Sequence, residues 1–312
     1  MKTGEGDRTI NNGTEVAVLL ACWNGERFLQ EQIESILSQS GIAASVIVSD
    51  DCSVDGSIQV VRKIGAVEGR VALLPPCERM GSASANFFRL IAEVDRPEAE
   101  YFALSDQDDI WLSGKIQRAV DCMVSSGADG YSGPVTAVWP DGRSKFIDKH
   151  PRMSVRDFFF EGPGPGCTFV LRRELFLTLQ QFVRDNRRIL RSVYYHDWLI
   201  YAFARSNGYR WYIDSEAHML YRQHGANDTG ANIGFSAAWL RARKVWSGWA
   251  RTQAYLIADV CGYGDELRLR FAFTPRRVLA VLWRVADYRR SWAGRLALAV
   301  FVFLGRMRPP GA

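Results

Sequence analysis

What the chain lacks narrows it quickly. Its six cysteines (Cys22, Cys52, Cys77, Cys122, Cys167 and Cys261) form no CxxC pair, and 312 residues can fold without a disulfide framework. Reduced thiols are therefore expected, and a zinc ribbon is excluded. The opening MKTGEGDRTINNGTE has no apolar core of a signal peptide, so the strand starting near Val16 is expected to stay in the cytoplasm. The apolar run LALAVFVFLG holds ten residues, too few for a helix crossing about 30 Å of hydrocarbon. Neither GxxxxGK[ST] nor a GxGxxG after the first strand occurs, which disfavours P-loop NTPases and Rossmann dehydrogenases. There is no internal repeat, no low-complexity tract and no recognisable nucleic-acid module, so no nucleic-acid partner is expected.

What is present is ample for a core, with 47% hydrophobic residues. Val16–Cys22 reads as a buried strand, and Phe28, Leu29, Ile33, Ile36 and Leu37 give the following segment helical spacing. A second strand at Ser45–Ser49 leads into a helix through Val60, Val61 and Ile64. A third strand near Val71–Leu74, a helix through Phe87, Leu90 and Ile91, and a fourth strand at Tyr101–Leu104 follow. Alternation of this kind implies a parallel sheet, with ligands beyond the carboxyl ends of its strands. Gly127–Gly166, rich in Gly and Pro, reads as loops around a short strand at Pro134–Trp139. A strand at Cys167–Leu171 and a helix from Arg173 come next, and then an aromatic helical stretch, Val193–Ala204.

Acidic residues collect at the expected ligand edge. YFALSDQDDIWL at 101–112 ends in Asp106, Asp108 and Asp109 with no basic residue among them. Read as continuing strand, the segment sends Asp106 and Asp108 to one face and Asp109 to the other; their repulsion calls for a cation. A hard divalent metal, Mg²⁺ or Mn²⁺, bridging carboxylates and phosphates fits these ligands. The alternative is a turn in which Asp109 or Ser113 caps the next helix. After the first strand, Ala21-Cys22-Trp23-Asn24-Gly25-Glu26 forms a tight turn whose backbone and Asn24 amide are placed to reach a base or ribose, or simply to cap. After the second strand, Asp50 or Asp51 is placed to accept from the N3–H of uracil or thymine, while Ser53 and Asp55 shape the turn.

The ordered set Ala21–Gly25, Asp50–Ser57, Asp106–Asp109 and His196-Asp197 resembles glycosyltransferase family 2, the inverting nucleotide-sugar enzymes of GT-A fold. DQDDIW (106–111), GPGCTFVLRREL (164–175), YHDW (195–198) and YRQHGAND (221–228) are most similar to bacterial rhamnosyltransferases of surface-polysaccharide assembly. The resemblance implies an α/β fold of GT-A type. A Rossmann-like, mostly parallel central sheet would carry flanking helices and a C-terminal helical, basic amphipathic extension. It spans about residues 14–235. A flexible 1–14, a domain at 15–235 (nucleotide-binding half 15–112, acceptor half 113–235) and a C-terminal region at 236–312 are the expected divisions.

By the same resemblance Asp50 or Asp51 meets the base, Asp106 the ribose or phosphate side, and Asp108 the metal bridging the diphosphate. Asp197 matches the catalytic base, which in-line inversion requires to take the acceptor hydroxyl proton. Many members have an acidic residue where this chain has His196, leaving three roles open: orienting Asp197, touching the acceptor, or packing. His224 is a metal or diphosphate ligand, or a surface histidine, and Arg222 pairs with phosphate. The QxxRW motif of processive synthases is missing. The implied activity is therefore transfer of one sugar, from a dTDP or UDP donor such as dTDP-rhamnose, to a glycan or lipid-linked oligosaccharide. A nucleotidyltransferase would carry a Gly- and Arg-rich loop where this chain has ACWNGE; a non-catalytic glycan-binding scaffold would have no need of Asp106, Asp108 and Asp197 together.

Charge divides the chain. From Arg241 onward 14 basic residues face four acidic ones, a net charge of about +10 against about −5 for the rest. Arg276, Arg277, Arg284, Arg289, Arg290 and Arg295 alternate with Val278, Leu279, Leu282, Trp283 and Trp292. Such a segment fits a helix lying on the anionic inner face of a membrane, or one packed on the catalytic core.

Overall fold

The computed structural model describes residues 13–148, 153–224, 243 and 246–309. The elements in order are β1 (Thr14–Cys22), α1 (Glu26–Leu37), β2 (Ile42–Asp50), α2 (Ser57–Val67), β3 (Val71–Leu73), α3 (Ala83–Glu93), β4 (Tyr101–Asp106), β5 (Ile110–Trp111) and α4 (Lys115–Ser126). There follow β6 (Gly130–Ser132), β7 (Val135–Val138), β8 (Ser144–Ile147), β9 (Val170–Arg172), α5 (Arg173–Asp185), α6 (Arg187–Leu190), α7 (His196–Ser206), β10 (Trp211–Ile213) and β11 (Met219–Arg222). Further helices lie at Trp249–Val260, Gly264–Arg270, Pro275–Trp283 and Trp292–Phe303.

The main sheet has seven strands in the order β10-β6-β9-β4-β1-β2-β3. β1 is its centre because Val16 to Leu20 are all apolar and at most 1% exposed, as a strand covered on both faces must be. It pairs in parallel with β2 (Ala21 opposite Ser49) and with β4 (Ala21 opposite Asp106), so the acidic ends of β2 and β4 flank its carboxyl end. β9 runs antiparallel to both β4 and β6, which makes the sheet mixed where alternation alone suggested a parallel one. Cys167 does not begin β9, because Gly166–Thr168 forms a 3₁₀ turn first. The stretch expected as loops also contributes β6 to the main sheet, and β7 and β8 to a second sheet of order β5-β11-β7-β8. The expected N-terminal segment lies outside the described residues except Gly13 and Thr14, and Thr14 is already paired with Ile42.

The C-terminal helices are part of the core. Ala254, Ile257, Ala258 and Leu267 are fully buried in one apolar cluster with Leu199, Ile200 and Tyr201 of α7. Much of the expected positive charge is spent holding this region down. Arg290, 6% exposed, bonds the Gly162 carbonyl and lies 3.7 Å from the buried Asp157 and 3.4 Å from Glu161. Arg156 donates to Glu266 at 3.0 Å, and Gln253 accepts from Tyr194 N–H (2.9 Å) while donating to the Ser192 carbonyl (3.0 Å).

Candidate active site

The site is built where β1, β2 and β4 end. Three turns follow these strands, and side chains stitch them together. Asn24, at φ +50°, donates its N–H to Ser53 Oγ (2.8 Å), and its Oδ1 accepts from Val54 N–H (2.9 Å). Gly25 N–H reaches Ser57 Oγ (2.8 Å), Glu26 N–H reaches Asp55 Oδ2 (3.1 Å), and Gly56 N–H reaches Glu26 Oε2 (2.8 Å). The Asn24 amide oxygen is thus engaged in shaping the turn. Ala21 and Cys22 are buried, and the Cys22 thiol, pushed up to about 12 by burial and then by Asp50, stays protonated.

Asp50 and Asp51 differ in what they hold. Both Asp51 oxygens accept backbone amides, from Met80 and, at 2.8 Å, from Gly81, which ties down the segment before α3. Asp50 Oδ2 accepts from Ser53 N–H at 2.9 Å, whereas its Oδ1 is buried with no hydrogen-bond partner. A buried acceptor in that state calls for a donor.

The acidic run does not continue as strand. β4 stops at Asp106, and residues 107–108 turn, so the two-residue alternation fails there. Asp106, Asp109 and Cys167 consequently bring one ligand atom each within 4.8 Å of one another, while Asp108 Oδ2 meets His224 Nε2 at 2.7 Å. That last contact spans 116 residues and exists because β11 pairs with β5 and β7. Arg222, the last residue of β11 and two before His224, pairs with Glu31 of α1 and stands 5.2 Å from the Phe28 ring; His224 stacks on the same ring at 4.8 Å. Gly225–Asp228 of the YRQHGAND motif lie outside the described residues.

Beneath this edge sits a residue that sequence reasoning missed. Lys115 opens α4, and its buried Nζ lies 3.6 Å from the Trp111 ring centre without a hydrogen bond. Burial pulls its pKa down to about 7, against the opposing pull of Cys167 and Asp109. Asp109 is fully buried, with neither oxygen hydrogen-bonded, and burial together with Asp106 and Asp108 raises it well above the carboxylate range. The available signal was a lysine at the positive end of a helix, four residues after a tryptophan, where acidic residues are usual. Cys167, held protonated by burial and by Asp109 and Asp106, is a poor ligand for a hard cation. The carboxylates of Asp106 and Asp108 fit one better, with the His224 imidazole beside Asp108.

The turn Gly166–Thr168 joins this edge to α7. Cys167 adjoins Asp109, and a Cβ on Gly166 would collide with His196 Nε2. The His196 ring stacks on Phe87 (4.2 Å), and its Nε2 is shut off from solvent without a partner. Burial drives its pKa down to about 3, so it is neutral at physiological pH. Asp197 sits in the first turn of α7, where Oδ1 accepts from Trp198 N–H at 2.7 Å.

A GT-A sheet with this carboxylate-lined edge defines the chain as a glycosyltransferase. It belongs to glycosyltransferase family 2: the profile described as "Glycosyl transferase family 2" matches residues 17–196. It is 39% identical over 289 residues to the dTDP-rhamnosyl transferase RfbG of Shigella flexneri, covering 91% of this chain and 99% of that one. Among solved structures it resembles S. aureus TarS 1-349 in complex with UDP-GlcNAc (TM-score 0.53, 13% identity, 94% of this chain and 88% of that one). It also resembles the mannosyltransferase PcManGT of Pyrobaculum calidifontis in complex with GDP-Man and Mn2+ (TM-score 0.52, 16% identity, 94% and 81%). Sugar transfer in polysaccharide synthesis follows from the family and from the RfbG likeness.

Proposed function

We propose that this glycosyltransferase moves one L-rhamnose from dTDP-rhamnose to a glycan or lipid-linked acceptor with inversion, assisted by Mg²⁺ or Mn²⁺. The observation that carries the reading is the acidic edge after β4, where Asp106 stands with Asp109 and Cys167 and Asp108 meets His224, and which the Gly166–Thr168 turn joins to His196, the neighbour of Asp197. The near full-length likeness to a dTDP-rhamnosyl transferase supports the donor. Asp50 is the base acceptor, because its buried Oδ1 awaits the N3–H of thymine. Asp106, Asp108 and His224 are the residues that would hold the cation, which would supply positive charge against the departing diphosphate. Arg222 adds its guanidinium on the phosphate side. Asp197 takes the acceptor hydroxyl proton as the oxygen attacks the anomeric carbon, and the neutral His196 ring, stacked on Phe87, packs the start of α7.

The C-terminal helices supply the membrane contact of a peripheral enzyme at the inner face. No helix among the described residues is long and apolar enough to cross a membrane. Helix Trp292–Phe303 is almost wholly apolar yet buries only Leu298 and Val302, and Trp283 and Trp292 are 91% and 77% exposed. Arg276, Arg277, Arg295 and Arg306 lie on the same two helices or just past them, which suits anionic lipid.

Purified protein assayed with dTDP-, UDP-, GDP- and CDP-sugars, with and without Mn²⁺, tests the chemistry. Thermal stabilisation by dTDP-rhamnose with Mn²⁺ is expected, and Asp197→Asn should cut turnover about 10²–10⁴-fold at unchanged melting temperature. Turnover near wild type in that variant removes Asp197 as the base.

A further inference from the structure

We propose that Gln107 is a positioning residue that couples metal binding to nucleotide binding by locking the Asp106–Asp109 turn to the β1–α1 turn. This rests on the nucleotide-sugar reading above. β1 and β4 run side by side as far as Ala21 and Asp106, where their backbone pairing ends. Beyond that point the Gln107 side chain takes over. Its Oε1 accepts from Trp23 N–H at 2.6 Å, and its Nε2 donates to the Trp23 carbonyl at 2.9 Å. An amide that accepts from and donates to one residue's backbone imitates a further rung of the ladder.

Room for this rung comes from Gly25, where a Cβ would stand 2.5 Å from Gln107 Oε1. The backbone there, φ −102° and ψ 7°, is open to other residues, so the requirement is for space. On its far side the same β1–α1 turn is bound to residues 53–57 through Asn24, Gly25 and Glu26, and Ser53 N–H returns to Asp50. A continuous path of peptide links and hydrogen bonds therefore runs from the carboxylates assigned to the metal, through Gln107 and Trp23, to Asn24, Ser53 and the carboxylate assigned to the base. Displacement at one end is felt at the other, which is the physical content of a coupling free energy between two ligands.

The test is calorimetric titration of the full chain with dTDP, in Mn²⁺ and in EDTA, reading the ratio of the two affinities. Wild type should show tighter binding in Mn²⁺ by about tenfold or more. Gln107→Ala should lower the ratio several-fold, leaving the part that comes from the cation meeting the diphosphate directly, and Gly25→Ala should do the same by displacing the amide while leaving the Gly25 N–H to Ser57 in place. The double variant should lose no more than either single one, because both remove the same link. A wild-type ratio retained in Gln107→Ala overturns the proposal, as does a double-variant loss equal to the product of the single losses. Absence of any Mn²⁺ effect on wild-type dTDP binding instead sinks the underlying metal and nucleotide reading. Should Gln107→Ala fail to fold, Gly25→Ala carries the measurement alone.

Discussion

Acid should weaken this fold through one ring. His196 titrates at about 3 in the native protein against 6.5 in an open chain, because Phe87 and the Gly166 backbone shield it and Nε2 finds no partner. The unfolded chain therefore binds a proton that the native state refuses, and stability falls as pH drops from about 6.5 towards about 3. Between pH 7 and pH 5 the unfolded histidine goes from mostly neutral to almost fully protonated while the native one stays neutral. At about 1.4 kcal/mol per pH unit, that difference removes about 2 kcal/mol of stability. Carboxylates add their own pH dependence, so the comparison must be with a variant that cannot titrate at this position. Urea unfolding of wild type and His196→Gln at both pH values should show wild type losing about 2 kcal/mol more than the variant, whatever the variant's stability at pH 7. Equal losses would mean that the ring titrates near its ordinary value in the native state, as a solvated imidazole does.

Two further outcomes follow from the packing. Arg290→Ala should cost roughly 3–5 kcal/mol, because it leaves Asp157 and Glu161 short of a buried cation, and the loss should appear as a lowered urea midpoint. Replacing both Trp283 and Trp292 with serine should release the protein from anionic vesicles in co-sedimentation at unchanged melting temperature, since both are exposed; unchanged binding removes these helices as the contact.

Much of the nucleotide half was legible because its cues are local. β1, β2 and β4 are short uncharged runs, and the helices between them carry apolar stripes of the right period, so the acidic strand ends could be placed before any coordinates. The errors arose where geometry depends on partners far along the chain. The turn after Asp106 broke the two-residue alternation and sent Asp109 inward, towards Cys167, instead of merely to the opposite face. The Asp108–His224 contact needs β11 to lie between β5 and β7, a pairing that no periodicity encodes. Lys115 went unmarked because its burial comes from Trp111 and the body of the sheet. The basic tail was read correctly as helical. Charge counting could not tell that Arg289 and Arg290 face inward, onto Glu161 and Asp157.

The bonds from Gln253 to Tyr194 and Ser192 have a mechanical consequence. They join the helix Trp249–Val260 to the strap that immediately precedes Asp197. With the membrane contact and the Asp197 role proposed above, any tilt of the C-terminal helices against a bilayer would tug on the strap beside Asp197, and the resting angle would become one of the settings of the chemistry.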